Sequence, residues 1–181
     1  NHWQADNRAD APLTLRLECY AYDASVRTAW LDAGRGFFNP TSLCLRVIGQ
    51  EDQPQVLELA ENRHTRGWQA ATGLAPQQVK RSGFGRYLAA DYDELADSPV
   101  EMGAFWSGGF KVRGVAHRFV VSGAGAWFDG ERLLRDTRQI VETQMAFWHG
   151  PNGKGQGKQQ DKPPFDRYVF MLHVTDDGYG E

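Results

Sequence analysis

Histidine is the residue type in this sequence with the widest chemical use, since imidazole binds metal ions and exchanges protons near neutral pH. The five are His2, His64, His117, His149 and His173. No two are four residues apart, the spacing that turns two imidazoles toward one metal ion on a helix. The metal-binding motif H-E-x-x-H is therefore missing, and we expect no metal ligands in this chain. His117 and His173 lie in apolar stretches, which favours hydrogen-bonded structural histidines.

Carboxylates and nucleophiles do not form a catalytic set either. Acidic side chains cluster in residues 91–101 (DYDELADSPVE). A solvated acidic loop explains them more simply than a glycosidase pair, because nothing ties two of them to an apolar pocket. No G-x-S-x-G elbow is present for Ser/His/Asp catalysis. Cys19 and Cys44 lie in apolar-alternating stretches, which favours free core thiols over a disulfide. We predict no catalytic residue in this chain.

Composition and charge exclude several classes of protein. The 181 residues are 41% hydrophobic and 24% charged, which is typical of a soluble globular protein. The net charge is -3, and Lys and Arg do not cluster among aromatics, so we expect no nucleic-acid partner. No apolar run is long enough for a membrane span, and the first ten residues are polar, unlike a signal peptide. A cytoplasmic and a periplasmic location both stay open.

Strand-like periodicity dominates the first two thirds of the chain. Residues 13–22 alternate apolar and polar side chains, and residues 41–49 and 54–60 repeat this pattern, so each predicts a strand. A strand from Tyr87 to Ala90 and a helical turn from Asp91 to Asp97 follow. Residues 110–123 predict a hairpin that turns near Arg113-Gly114.

One amphipathic helix and one apolar strand complete the pattern. Apolar doublets recur every seven residues between Asp129 and Gly150, with Asp129 as the expected N-cap. Residues 152–162 are rich in Gly, Lys and Gln; we expect a flexible surface loop, since their spacing fits no phosphate-binding loop. Residues 167–175 predict a strand covered on both faces.

These elements predict an α+β fold. A mostly antiparallel β-sandwich or saddle-like domain is followed by one amphipathic helix and a buried strand. Because the character of the sequence changes after Gly125, we divide the chain into a β domain over residues 1–125 and the start of a second domain over residues 126–181.

Three longer strings carry a resemblance to a known family. They are YAYDASVRTAWLDAGRGFFNPTSLCLRV (20–47), YLAADYDELADSPVEMG (87–103) and PFDRYVFMLHVTDDGYG (164–180). With the helix before the last string, they resemble in the same order the glycyl aminopeptidase family of zinc metallopeptidases, whose members often also carry a PDZ domain. The strings are too long for a chance agreement.

The resemblance implies a parent protein of three parts. They are an N-terminal β domain, a thermolysin-like catalytic domain that holds zinc through H-E-x-x-H and a downstream glutamate, and the PDZ domain. This chain would supply the first part, lacking its first strands, and the start of the second. Its expected partners are the catalytic domain of the same protein and, in the complete enzyme, a peptide substrate. Zinc is expected in the complete protein and not in this chain.

The last residues match the family pattern only in part. The family usually reads G-Y-G-G-L-E-H, an edge-strand motif, whereas this chain reads Gly178-Tyr179-Gly180-Glu181, so Glu181 does not safely inherit a role in holding the substrate amino group. For Asp177, Gly178, Tyr179 and Gly180, the functional interpretation is a backbone edge that lines the substrate cleft, because a strand edge can pair with an extended peptide. The alternative is a flexible C-terminal tail.

The sequence therefore predicts an accessory function. The chain would be the N-terminal portion of a zinc-dependent aminopeptidase, would orient the catalytic domain, and would be inactive by itself. The alternative is a stand-alone, non-catalytic β-sheet module for binding or interaction. The sequence encoded beyond Glu181 separates the two, because H-E-x-x-H should follow soon only in the first case.

Overall fold

The fold is known from a computed structural model, which describes residue 4 and residues 11–149 and 163–176. Strands predominate in this part of the chain, and the one long helix lies near its end. In chain order the elements are β1 (Ala29–Leu31), β2 (Arg35–Phe38), α1 (Pro40–Leu43), β3 (Gln55–Leu59), β4 (Gln69–Thr72), β5 (Ala75–Val79), β6 (Gly85–Ala89), α2 (Tyr92–Ala96), β7 (Val100–Gly103), β8 (Trp106–Val112), β9 (Val115–Ser122), α3 (Gly130–His149) and β10 (Arg167–His173).

The strands form three sheets. The central sheet has the antiparallel order β1-β2-β7-β4, and the outer sheet has the antiparallel order β3-β6-β5. The C-terminal sheet has the order β10-β9-β8, in which β8 and β9 are antiparallel and β9 and β10 are parallel. A parallel pair needs a crossover connection, and α3 lies in it. The predicted α+β fold, mostly antiparallel, is confirmed.

The main hydrophobic core lies between the central and the outer sheet. Phe38 and Val100 of the central sheet pack there with Leu59 and Tyr87 of the outer sheet, and Phe84 is buried among them. Ala71, on the opposite face of the central sheet, packs instead on Phe105 and on Val120 of the C-terminal sheet. The central sheet is therefore covered on both faces.

The long helix α3 covers the far side of the C-terminal sheet. Its Met145 packs on Val112 and Val115 of the hairpin β8–β9. An ideal Cβ at Gly108 would lie 2.7 Å from Cδ1 of Leu134, so the helix approaches β8 closely at a residue without a side chain. The layers thus run from the outer sheet through the central and C-terminal sheets to α3.

Local sequence signals account for the turns and helix starts that were predicted correctly. Arg113 and Gly114 have φ of 48° and 81°, the left-handed pair that a two-residue hairpin turn requires. Asp91 begins α2, where its Oδ1 accepts from the backbone N–H of Glu94 at 2.7 Å. Asp129 begins α3 in the same way, accepting from Arg132 N at 2.9 Å. β3 and β6 also form where strands were predicted.

The strand predicted over residues 13–22 is wrong for all but its last residue. Leu13, Leu15 and Leu17 are 53%, 49% and 38% exposed. Alternation makes a strand only where a neighbouring strand supplies hydrogen-bond partners, and none of the described strands lies beside residues 13–20. Pairing begins with the bridge between Tyr22 and Trp30.

The strand predicted over residues 41–49 is also wrong. The first part is the short helix α1, because Asn39 Oδ1 accepts from Thr41 N at 3.0 Å and Pro40 occupies the first helical position. Residues 44–49 pair with no described strand. A local capping signal overrides the alternation here.

The last strand forms as predicted, but it is not covered on both faces. Val169, Phe170 and Met171 in the middle of β10 are half-buried, whereas Tyr168 and Leu172 are exposed. Helix α3 packs on the hairpin β8–β9, so it leaves the β10 end of the sheet open on that side.

The two cysteines were predicted to be free thiols in the core. Both thiols are free, but Cys19 is exposed and Cys44 is only partly buried.

Two predictions are left without a test. The predicted loop at residues 152–162 lies outside the described residues. The domain boundary between residues 125 and 126 stays a prediction. The strands on its two sides form one sheet, since β8 and β9 precede the boundary and β10 follows it. In the described part of the chain, no helix is long and apolar enough to cross a membrane.

Candidate functional site

The residues predicted to line a substrate cleft come directly after the last described segment. Asp177, Gly178, Tyr179 and Gly180 lie outside the described residues, which reach Asp176. The described residues that lead to them are β10 and the three residues after it. The candidate site is therefore the carboxyl end of β10 and the side chains around it.

The parallel strands β9 and β10 end side by side. Ser122 and His173 are register partners at their carboxyl ends. The backbone N–H of Val174 donates to Ser122 O at 2.9 Å, and Ser122 Oγ lies 2.9 Å from His173 Nδ1. The carboxyl ends of parallel strands are where ligands bind in many α/β sheets. In this chain a backbone and a side-chain hydrogen bond hold the two ends together.

Glycine allows the two strand ends to come this close. Gly123 has φ of +74°, and an ideal Cβ there would lie 2.4 Å from Val174 O. Every other residue type would need both a left-handed backbone and a displacement of the chain after β10. The chain direction after His173 is thus determined partly by the residue that follows β9.

A buried ion pair lies on the face of the central sheet that turns toward the C-terminal sheet. Arg35 Nε and Nη2 donate to Glu101 Oε1 and Oε2, each at 2.8 Å. The exposed fractions of the two side chains are 12% and 3%. Glu101 is the register partner of Phe37 and Ala71, so it shares their face of the central sheet, which turns toward the C-terminal sheet. The pair therefore lies at the interface between these two sheets.

The charges of this pair act on His173. Partial burial lowers the pKa of His173 below its usual value, and the positive charge of Arg35 lowers it further. Glu101 and Asp32 act in the opposite direction without cancelling the shift. The pKa of Asp32 is lowered too, chiefly because its carboxylate accepts the backbone N–H groups of Gly34 and Arg35. The His173 imidazole is thus harder to protonate than a histidine in its ordinary environment.

This arrangement positions the chain and does not form a self-contained catalytic site. Ser122 is 6% exposed, so its hydroxyl is not accessible to a substrate as a nucleophile. Across residues 11–149 and 163–176, no three His, Cys, Asp or Glu side chains come together as metal ligands. What the geometry can do is fix the path of the chain from β10 toward Asp177.

The other candidate residues of the sequence are dispersed. His117 is buried at 4% exposure, its Nδ1 lies 3.1 Å from Val115 O, and its ring stacks on Phe110, as expected of a structural histidine. His64 is exposed and accepts from Arg63 Nε. His173 is hydrogen-bonded as predicted but is exposed. Each of these three histidines thus has a different hydrogen-bond partner.

The acidic residues between positions 91 and 101 have two different structural roles. Asp91 and Glu94 cap α2 through backbone N–H groups, which fits a solvated surface segment. Glu101 does not fit it, because it is buried and paired with Arg35, and the sequence analysis missed this pair. One signal in the sequence could have indicated that Glu101 is buried. It lies in the run V-E-M-G, between the apolar residues Val100 and Met102, and a solvated loop would not require apolar residues there.

Comparison with known proteins agrees with this geometry. The family model described as the peptidase M61 N-terminal domain matches residues 1–104. The crystal structure of an aminopeptidase N family protein from Idiomarina loihiensis is similar to this chain, with a TM-score of 0.78 and 35% sequence identity over 89% of the chain. This chain covers 25% of that protein. Among curated proteins none matches.

The matched family segment comprises the whole of the central and outer sheets and ends before β8 begins at Trp106. It amounts to more than half of the 181 residues. The similar structure extends past it into the C-terminal sheet, since it covers nearly nine tenths of the chain. The chain therefore belongs to the peptidase M61 N-terminal domain family.

Proposed function

We propose that this chain is the N-terminal accessory portion of a zinc-dependent glycyl aminopeptidase with a thermolysin-like catalytic domain. Its central and outer sheets would cover and orient that domain, and Asp177, Gly178, Tyr179 and Gly180 would line the cleft that receives the peptide. The family membership and the similarity to an aminopeptidase N family protein support a peptidase, and the resemblance of PFDRYVFMLHVTDDGYG supports the narrower assignment.

The observation that carries the proposal is the unit β9–α3–β10. It adds a parallel strand pair to the β domain, and its last strand ends four residues before Asp177. A strand edge can bind an extended peptide through backbone hydrogen bonds. In the proposed enzyme, this helix-connected strand would lead to such an edge.

The metal chemistry would come from residues outside this chain. Bound zinc polarises a scissile carbonyl and activates water, and the described residues contain no group of three ligands for it. This chain would contribute shape, and the end of β10 would lead into one wall of the cleft. Its other expected partner is the peptide substrate; a PDZ domain would follow the catalytic domain.

The test uses this chain and its continuation. The encoding gene should specify H-E-x-x-H soon after Glu181, and the longer protein should cleave glycyl peptides and lose this activity to a chelator. The 181-residue chain should neither cleave these peptides nor retain stoichiometric zinc. A continuation without H-E-x-x-H would overturn the proposal in favour of a stand-alone β-sheet interaction module, and so would chelator-resistant cleavage by the short chain.

A further inference from the structure

Helix α3 covers only one half of the sheet face on which it lies. Its Met145 packs on Val112 and Val115, and Phe110 packs against the same cluster. These side chains belong to β8 and to the start of β9. The rest of β9 and the whole of β10 form the other half of this face, which α3 leaves open.

A row of apolar side chains lies on the open half. Tyr168, Phe170 and Leu172 alternate along β10, so they share one face of that strand. The ring of Phe119 on β9 stacks on that of Phe170, with 5.1 Å between the ring centroids. We call these four residues the open face.

The open face continues the surface that lies under α3. The ring of His117 stacks on Phe110, with 5.1 Å between centroids, and its centroid lies 6.3 Å from that of Phe170. Phe110 in turn packs against the cluster that α3 covers. Val169, on the opposite face of β10, packs on the central sheet. One side of the strand pair is therefore already covered, and the open face belongs to the side of α3.

The open face is unusually exposed for a pair of parallel strands. Tyr168 and Leu172 are 46% and 42% exposed, and Phe119 and Phe170 are half-buried. Strands β9 and β10 are parallel, and parallel strands are normally covered on both faces. The four side chains carry no charge, and a contiguous apolar patch of this kind marks a surface for packing. The expected partner therefore presents apolar side chains from the side of α3.

The size of the open face favours a segment of the same polypeptide over a separate molecule. Stable interfaces between separate proteins use about 20–30 residues on each side, far more than this row provides. A segment joined by peptide bonds loses less translational and rotational freedom when it packs, so a small apolar surface is enough. The similar structure contains much additional chain, because three quarters of its residues lie outside the part that this chain covers.

The sheet topology favours a helix as this segment. Strand β10 lies at the edge of its sheet, with β9 as its described neighbour. The connection between two parallel strands is right-handed in nearly all proteins. A further connection that leaves β10 in the direction that leads from β9 to β10 therefore places its helix on the face that carries α3.

We propose that the open face is the surface on which the next helix of the longer protein packs, beside α3, and that this contact joins the N-terminal portion to the part that follows it. The inference rests on the proposed function for the existence of the longer protein. The occupant is the apolar side of a helix encoded after Glu181. A second copy of this chain would be the competing occupant.

The first experiment compares the 181-residue chain with the longer protein by hydroxyl-radical labelling and mass spectrometry. Labelling of Tyr168 should be at least about fivefold slower in the longer protein, because close packing excludes water and radicals from the ring. Tyr20, which is 93% exposed in the N-terminal part, is the matched control and should change less than about twofold. Equal labelling of Tyr168 in both proteins would overturn the inference. So would labelling in the short chain that falls as a dimer forms in sedimentation, since the occupant would then be a second copy.

The second experiment places a charge on the open face. Leu172→Glu should shift the thermal midpoint of the short chain by less than about 2 °C, because this side chain is already exposed there. In the longer protein it should raise the labelling of Tyr168 at least about threefold, because a carboxylate without a partner is costly to bury against a helix. The matched control is Leu31→Glu on β1, a strand leucine that is 56% exposed, and it should leave the labelling of Tyr168 unchanged. An equal effect of the two variants, or none from Leu172→Glu, would contradict the inference.

The outcomes separate this inference from the proposed function. A longer protein that protects Tyr168 but shows no chelator-sensitive cleavage of glycyl peptides would support the packing surface and overturn the proposed function. An active peptidase in which Tyr168 is labelled as fast as in the short chain would do the reverse. A gene that ends at Glu181 would overturn both.

Discussion

The two faces of the central sheet pack in different ways. Toward the outer sheet it presents apolar side chains, and the large residues that it meets there, Leu74 and Phe84, are 1% and 2% exposed. Toward the C-terminal sheet the apolar cluster is smaller and comprises Ala71, Phe105 and Val120, with Val169 packed against it. Beside it lie the Arg35–Glu101 pair and the Ser122–His173 hydrogen bond.

The apolar face mainly contributes stability to the fold, and the polar face mainly contributes contacts of defined direction. Apolar contact is strong but has no preferred direction, so the first face holds the β domain together. Hydrogen bonds and bidentate ion pairs have a direction, so on the second face the Arg35–Glu101 pair fixes β2 against β7, and the Ser122–His173 bond fixes β9 against β10. Substitutions on each face test this difference.

The largest effect is expected on the apolar face. Phe84→Ala should lower the free energy of unfolding by about 4 kcal/mol, because it removes a fully buried ring and leaves a cavity. Urea denaturation followed by tryptophan fluorescence measures this. The exposed Val56 on β3 is the control, and its replacement by alanine should change the free energy by less than about 0.5 kcal/mol. Similar losses for both variants would refute the assignment of the main core.

A slightly smaller loss is expected on the polar face. Glu101→Gln should lower the free energy of unfolding by about 3 kcal/mol, because it leaves the Arg35 guanidinium in a nearly buried position without its counter-charge. The double variant Arg35→Met, Glu101→Leu should recover most of this loss in the same denaturation experiment. If the double variant were no more stable than Glu101→Gln, the pair would contribute to stability as well as to geometry.

The closeness of the two strand ends gives a third, smaller effect. Gly123→Ala should cost about 2–3 kcal/mol, because a left-handed residue gains a Cβ that would overlap the Val174 carbonyl. Gly114 is the matched control, since its φ is +81° and an ideal Cβ there meets nothing within 4 Å. Gly114→Ala should cost only about 1 kcal/mol. Equal losses would mean that the strand ends are not tightly packed.

The smallest effect is a pH dependence from the buried histidine. Burial lowers the pKa of His117, so the unfolded chain binds a proton that the folded chain resists. The free energy of unfolding should therefore fall as the pH is lowered from about 7.5 to about 5.5. His117→Gln should flatten this dependence, and His64→Gln, at an exposed position, should not. A dependence unaffected by His117→Gln would assign it to other groups.

The same linkage applies to His173 with a smaller amplitude, since that side chain is exposed. His173→Asn should therefore flatten the pH dependence less than His117→Gln does. The two histidines lie on opposite faces of the C-terminal sheet, so the pair of variants compares these faces directly. A larger change in His173→Asn would show that the interface with the central sheet excludes water more fully than the side under α3.

Much of the fold could be predicted from local patterns. The hairpin at Arg113-Gly114, the cap of α2 at Asp91 and the start of α3 at Asp129 depend on a few adjacent residues, so the sequence contains all the information they need. The strands predicted over residues 13–22 and 41–49 failed for opposite reasons. The first has no described neighbour for residues 13–20, and the second gave way to the cap at Asn39.

The candidate site was predictable only in part. The resemblance directed attention to the segment after β10, and the hydrogen-bonded state of His173 was expected. The groups that surround His173 were not, because Arg35, Glu101 and Ser122 are distant from it in sequence, and only the register of two sheets brings them together. Glu101 was assigned to a solvated segment, since alternation does not indicate that a strand is buried on both faces.

The sequence by itself determined the α+β class, the hairpin, the helix α3 and the relation to a peptidase family, because these depend on local periodicity and on motifs that are continuous in the chain. Only the tertiary structure decided that the central sheet is covered on both faces and that a buried ion pair lies on the face toward the C-terminal sheet. The physical reason is that burial and charge pairing depend on which strands become neighbours, and strand pairing joins residues far apart in the chain.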